Sequence, residues 1–557
     1  MSGDTNQEKS SIIDTELQTE LLVHNHHDHK GGMRTMPFII VNEAFERVAS
    51  YGLMTNMIFY LMEVYHMDVV TGTSLLSIWS ALSSGLSIFG AFISDSYFGR
   101  FRVIAFGSLS TLLGMTLLWL TSMVPQLTPS SCHEPDCDSP ASTPTQLAFL
   151  FSCFILLSIG SGCIRPCSIA FGADQLKHHP TLNNQRLIDS YFNWYYASVA
   201  ISTLIAFTVI VYIQEQLGWQ VVFAVTALIM VCSTLMFLLG SSLYVKVEVS
   251  ESLFSGLLQV VTVAFKNRRI QLLPHEAEPT DNLRFLNKAY VVRDYSGHDP
   301  WSVSTVEKVE SVKSVIRILP LWSTGILIFV ASASSFPTLQ AKAMNRYVTS
   351  WFEIPAASFT LFMVLTLTIW LVFYDCILVP FLAKHTHEPR GLHPKTRMGI
   401  GLAISIAAMV VSAIVESVRR DTTGDMSAMW LVPQYALLGL AEAFNSVGQM
   451  EFYYSELPKS MSSVAIAMFT VSMAVSGIVG SLLIKVVDSV TSRGGNISWL
   501  ASDINEGHVD YYYWLLGFFN LLNFFYYLIC CRVHRSYSSP GSRLSHEVGE
   551  EGCDHRH

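Results

Sequence analysis

Glu43, Glu46 and Arg47 occupy positions i, i+3 and i+4 of an otherwise apolar stretch, a spacing that puts three side chains on one helix face. A charge inside a membrane-length apolar run costs about 2.5–3.5 kcal/mol on insertion scales, and those that persist face a cavity or one another. Arg47 can fully neutralise only one of the two carboxylates. The other is left to exchange a proton, the chemistry that proton coupling requires. A pair that merely fixed a helix would need one acid and one arginine, so the second acid favours coupling. Two more charges stand in separate apolar runs: Arg165, within Gly160-Ser161-Gly162-Cys163-Ile164-Arg165-Pro166, and Glu451, within Gly448-Gln449-Met450-Glu451-Phe452. At about 1.5 Å per helical residue, all three sites fall at similar depth. A salt bridge from Arg165 to Glu451 is therefore expected, joining two halves of the chain and breaking as they rock. The alternative is that each finds a partner in its own half. Asp375 and Glu442 are further acids in apolar runs, and the sequence names no partner for either. Asp95, followed by Gly99 and Arg100, ends another run. This Asp-x-x-x-Gly-Arg pattern suits a clamp on a short turn, a gating or structural role.

The elements that must hold these residues follow from length and polarity. A hydrocarbon core of about 30 Å needs roughly 20 apolar residues per helix. Such segments run near 36–63, 73–95, 102–124, 147–171, 190–213 and 219–243, then near 312–336, 355–383, 396–418, 429–456, 463–487 and 509–533. The pattern predicts an all-α membrane protein with twelve transmembrane helices in two six-helix bundles, 36–243 and 312–533. Polar segments flank and join them: a disordered tail over 1–35, a cytosolic linker with amphipathic helices over 244–311, and a tail over 534–557. With both termini in the cytosol, only Lys342, Arg346, Arg419, Arg420 and Arg493 fall in extracellular loops, and Arg47, Arg165 and Lys485 lie in or at the ends of spans. The rest of the 34 Lys and Arg residues are then cytosolic, as the positive-inside rule requires. The one glycosylation sequon, Asn496-Ile497-Ser498, falls outside. Two helical halves joined by a cytosolic linker suggest alternating access, with a solute held between rocking bundles.

Composition agrees. Of 557 residues, 51% are hydrophobic and 14% charged, against about 25% charged in soluble domains, and the mean hydropathy is +0.39. The net charge of -9 carries no basic arm, so nucleic-acid binding is not expected. His24, His26, His27 and His29 lie in the polar tail, where nothing would fix a metal's ligand geometry, and no metal or cofactor is expected. Glu20-Leu21-Leu22 is a loose match to an acidic di-leucine sorting signal. Cys132 and Cys137 share a polar loop and either form a disulfide there or stay unpaired; most other cysteines sit in apolar runs as small hydrophobes. No paired His-Asp motif stands in a span, so enzymatic activity is not expected.

With these residues read, the chain resembles the proton-coupled oligopeptide transporter family of the major facilitator superfamily. Within it the chain is most similar to the first subfamily of the plant nitrate/peptide transporter branch. The resemblance covers nearly the whole chain. It rests on Gly31-Gly32-Met33-Arg34, the Glu-x-x-Glu-Arg cluster at 43–47, and Gly90-Ala91-Phe92-Ile93-Ser94-Asp95-Ser96-Tyr97-Phe98-Gly99-Arg100. It continues through Ile164-Arg165-Pro166-Cys167, Phe171-Gly172-Ala173-Asp174-Gln175, Phe192-Asn193-Trp194-Tyr195-Tyr196, Leu431-Val432-Pro433-Gln434-Tyr435 and Gly448-Gln449-Met450-Glu451-Phe452. The resemblance implies the major facilitator fold, inward proton symport and a central cavity. It implies proton coupling by Glu43, Glu46 and Arg47, and an inter-bundle salt bridge of Arg165 with Glu451 that also faces the substrate. Three departures bear on the solute. Arg165 stands where the family usually has Lys, keeping the charge on a planar, bidentate head. Ser332 aligns with the histidine that binds nitrate in the best-known plant relative, and Val103 with that relative's phosphorylatable threonine. Val48-Ala49-Ser50-Tyr51 follows the first motif, where peptide transporters carry paired tyrosines. The expected partners are therefore protons, the lipid bilayer and a small anionic substrate: nitrate, a plant hormone or a glycosylated metabolite. A substrate sensor with little transport, or a di/tripeptide symporter, is the alternative. The plasma membrane is the expected location, with the vacuolar membrane as the alternative.

Overall fold

Apolar runs broken by glycine, proline and polar turns satisfy their backbone groups internally as helices, the open-ended structure that a bilayer tolerates. The computed structural model describes residues 31–129, 142–177, 184–246, 253–268, 283–289, 305–386, 391–422, 426–458 and 461–537. The tail histidines, the di-leucine-like segment, Cys132, Cys137, most of the 244–311 linker and the tail beyond 537 lie outside these residues.

Among the described residues, eight helices are long and apolar enough to cross a membrane. A ninth is a pair, Val306–Ser323 with Ile326–Lys342, bent by 44°. One of the eight, Ser190–Ser242, runs for 53 residues. It turns at Gly218, whose φ of 82° and ψ of 179° lie in a region open to glycine. The helices Met36–Glu63 and Val432–Glu456, of 28 and 25 residues, are of membrane length and carry the charged residues singled out above. We label as α1 Met36–Glu63, α2 Val69–Ile93, α3 Arg100–Met123, α4 Pro144–Lys177, α5 Asn184–Ile205 and α6 Val211–Leu239. In the second half, α7 is Leu253–Lys266, α8 Val306–Ser323, α9 Ile326–Ser332, α10 Phe336–Lys342, α11 Thr360–Phe373, α12 Val379–Thr386, α13 Pro394–Asp421, α14 Val432–Glu456, α15 Ser462–Thr491 and α16 Val509–Tyr537. A short antiparallel pair, Tyr347–Thr349 with Phe352–Glu353, is the one sheet among the described residues.

The chain divides into two compact units, Met1–Asn56 with Leu86–Ser250, and Met57–Gly85 with Glu251–His557. In the first unit, α2 and α4 cross backbone to backbone: a Cβ on Gly90 would stand 2.2 Å from the Gly162 carbonyl oxygen. Pro166 has no N–H to give that carbonyl, so the proline beside Arg165 loosens the turn that Gly90 packs against. Phe101, Phe171, Phe237 and Tyr244 gather where α3 begins and α4 and α6 end.

The second unit takes in the end of α1 and the start of α2, a boundary different from the 36–243 bundle expected from hydropathy. Small residues make the difference: a Cβ on Gly477 of α15 would lie 2.5 Å from the Ser77 carbonyl oxygen of α2. The carboxylate of Glu63 also pairs with Lys342 at the end of α10. Of the linker's amphipathic helices, α7 lays Val260, Val263 and Ala264 against Val309 and Val312 of α8.

Candidate functional site

Four charged side chains meet in the first unit. On α1, both Nε and Nη2 of Arg47 lie 2.8 Å from Glu43 Oε1. One face over, Glu46 accepts from three donors. Arg165 of α4 reaches its two oxygens in fork fashion, Nε to Oε2 at 3.1 Å and Nη2 to Oε1 at 3.2 Å. Ser50 Oγ donates to Oε1 at 2.7 Å. Both carboxylates are almost fully buried, Glu43 at 1% and Glu46 at 0% exposure. The two acids therefore have two arginines, where the sequence alone offered one. The cluster is neutral with both acids ionised, and the arrangement is lopsided. Glu46 has both oxygens engaged, while Glu43 Oε2 is buried with no hydrogen-bond partner among the described residues.

Tyr51 ties the two pairs together. The Arg165 guanidinium carbon sits 4.7 Å from the centre of its ring and that of Arg47 5.9 Å away, so the ring is within cation–π reach of both arginines. Ser50 and Tyr51 were not singled out from sequence as site residues. A signal was present, because they lie four residues after Glu46 and Arg47 on the same helix face.

Arg165 and Glu451 were each expected to find the other, and here each has a counter-charge in its own unit instead. Arg165 has Glu46. Glu451 Oε1 lies 2.8 Å from Arg397 Nη1, on the first turn of α13. Arg397 is 2% exposed and stacks over Tyr374, its guanidinium carbon 4.1 Å from the ring centre. The Tyr374 hydroxyl in turn accepts from the Leu392 N–H at 3.0 Å. The physical reason is the cost of burial: an Arg397 held at 2% exposure needs a carboxylate at hand, and Glu451 on the adjoining helix supplies it. Two turns earlier on α14, half-buried Glu442 has no hydrogen-bond or ion-pair partner among the described residues. Asp375 is exposed, in a wide turn after α11.

Ser332 is the last residue of α9 and gives its hydroxyl hydrogen to the Ile328 carbonyl of the same helix at 2.9 Å. Asp95, Gly99 and Arg100 form the clamp their spacing suggested. Gly99 turns the chain from α2 into α3 with φ 77° and ψ 151°, outside the range of other residues. Arg100 Nε then reaches back to Asp95 Oδ1 at 3.0 Å. The clamp has a second jaw that spacing did not reveal, a short ion pair from Arg100 to Asp174 near the end of α4.

Comparison with known proteins shows the family to which the chain carrying these residues belongs. The family model described as the POT family matches residues 101–500. The chain belongs to the POT family. Among curated POT relatives, Protein NRT1/ PTR FAMILY 1.2 of Arabidopsis thaliana is 47% identical over 541 residues, covering 90% of this chain and 89% of its own length. Protein NRT1/ PTR FAMILY 1.1 of the same plant is also 47% identical, over 90% of this chain and 91% of its own. Both fall in the first subfamily that the motifs indicated. Among solved structures, the POT family transporter PepTSo aligns with a TM-score of 0.71 at 20% identity, covering 91% of this chain and 99% of that one. A likeness at that identity speaks to the fold. This POT chain is thus an integral membrane transporter and not an enzyme.

Proposed function

We propose that this POT transporter is a proton-coupled symporter of nitrate or a small organic anion, such as a plant hormone or glycosylated metabolite. It works by alternating access at the plasma membrane. In this reading it has twelve spans in two six-helix bundles with both ends in the cytosol. The nine apolar spans rise to twelve when Ser190–Ser242 is divided at Gly218 and the charged helices Met36–Glu63 and Val432–Glu456 are added.

The observation that carries the reading is Glu43 Oε2, a buried carboxylate oxygen without a partner beside a neutral cluster of two acids and two arginines. A proton arriving there bonds to a lone pair of Oε2 that no hydrogen bond uses and gives the cluster a net positive charge. That charge raises the local attraction for an anion. The side chain of Arg165, 23% exposed with one guanidinium nitrogen outside the Glu46 fork, is the group to receive it. Proton and anion then travel together because each makes the other's binding more favourable, a reciprocal coupling. Nitrate meets Arg165 rather than Ser332, whose hydroxyl is given to its own helix. On the opposite half, Glu451 is the acid expected to trade partners with Arg165 during the cycle. Glu442, with no hydrogen-bond or ion-pair partner among the described residues, is the second candidate for that role.

The test is uptake of labelled nitrate and labelled organic anions by oocytes expressing the full chain, at acidic and neutral external pH. The reading expects uptake to rise on acidification and to lose that dependence in Glu43→Gln. Unchanged uptake with unchanged pH dependence in both Glu43→Gln and Glu46→Gln overturns it.

A further inference from the structure

Ser50 has no place in the expected chemistry, yet its hydroxyl lies 2.7 Å from Glu46 Oε1. It is the third donor on a carboxylate already gripped by the Arg165 fork. Protonating a carboxylate removes the negative charge that its donors bond to, and for Glu46 that weakens three hydrogen bonds, two of them from a guanidinium. Its neighbour Glu43 has two contacts, both from Arg47 and both on Oε1, and leaves Oε2 empty. Glu-x-x-Glu-Arg by itself favours Glu43, which has Arg47 four residues on, over Glu46. That order is reversed by α4, which brings Arg165, and by the residue one turn beyond Glu46, which is a serine.

We propose that Ser50 is a positioning residue that divides the labour of the two acids, holding Glu46 as the fixed counter-ion of Arg165 and leaving Glu43 as the acid that takes the transported proton. This rests on the proton-coupling reading above and specifies which carboxylate does the coupling. The serine acts through Glu46 and needs no contact with the solute. The charged and titratable groups facing the pair are Arg47 and Tyr51 on α1, Arg165 on α4, and Tyr191 and Tyr195 on α5. All are retained in the variants that isolate the serine.

The experiment is an infrared difference titration of the full-length protein in lipid nanodiscs, reading protonated carboxyl bands against pH, so that no solute has to be known. In the wild type, the titrating band is expected to vanish in Glu43→Gln and persist in Glu46→Gln. In Ser50→Ala, which takes one hydrogen bond from the Glu46 carboxylate, a second protonated-carboxyl band is expected. That band should vanish in Ser50→Ala/Glu46→Gln, and Ser50→Thr, which keeps the hydroxyl, should titrate as wild type. If wild-type proton uptake is on Glu43 and Ser50→Ala leaves it the sole titrating acid, the role of Ser50 is refuted while the coupling reading stands. If neither Glu43 nor Glu46 titrates in the wild type, both fall together. A Ser50→Thr variant behaving like Ser50→Ala also refutes the proposal, since shape rather than the hydroxyl would then be at work.

Discussion

Replacing Glu46 by Gln removes a carboxylate that is wholly buried and leaves Arg165, 23% exposed at its side chain, with no ionised partner. Breaking a buried pair from one side costs about 3–5 kcal/mol. Water reaches part of the guanidinium, so Glu46→Gln belongs near the lower figure, about 3 kcal/mol. Arg165→Gln leaves the less accessible charge behind, with only Ser50 donating to it, and belongs near the upper figure, about 4–5 kcal/mol. The double variant strands no charge, because two amides can bond to each other across the same gap. Its cost should fall short of the sum by about 2–3 kcal/mol, roughly a 30- to 150-fold difference in the unfolding equilibrium. The assay is unfolding of the purified full-length protein in mixed micelles titrated with a denaturing detergent, followed by tryptophan fluorescence for the wild type, both singles and the double. Additive costs, with coupling under about 0.5 kcal/mol, would refute the claim that this bidentate pair is energetically real. Arg165 would then need another counter-charge.

The two acids of α14 should separate. Glu451→Gln strands the buried Arg397 and should destabilise the protein by about 1–3 kcal/mol, discounted for the exposure of Glu451; Glu442→Gln should leave stability within about 0.5 kcal/mol while changing uptake, both read by detergent titration beside transport. Glycines should divide by surroundings. Gly162→Val drives side-chain atoms into Leu86, whose backbone carbon a Cβ would already meet at 2.8 Å, and should yield no folded protein by size-exclusion chromatography. Gly218→Ala meets nothing within 4 Å and should lose only about 1–3 kcal/mol of backbone strain at its positive φ. Arg100→Lys keeps the charge but cannot span both Asp95 and Asp174. It should lower maximal uptake several-fold with the half-saturating concentration unchanged, as expected of a clamp remote from the solute.

Local periodicity was enough for everything that lies within one helical turn. Glu43 and Arg47 pair because residues four apart face each other on any α-helix. The Asp95–Arg100 jaw is likewise set by a five-residue turn that only a glycine at 99 completes. Hydropathy alone pointed to a chain of membrane-length helices, eight of which, with one bent pair, are long and apolar enough to cross a bilayer among the described residues. Motif content, concentrated around these charges, led to the family. What sequence could not supply is which helix faces which. The Arg165–Glu46 pair closes 119 residues of chain, from α1 to α4. The Arg397–Glu451 pair closes 54. Similar depth made Arg165 and Glu451 plausible partners, but depth is one coordinate of three, and the rotation of each helix about its axis settles which carboxylate a guanidinium finds. That rotation is set by packing of small and large side chains across helix seams. It brought a second arginine to the cluster and left one oxygen of Glu43 without a hydrogen bond among the described residues.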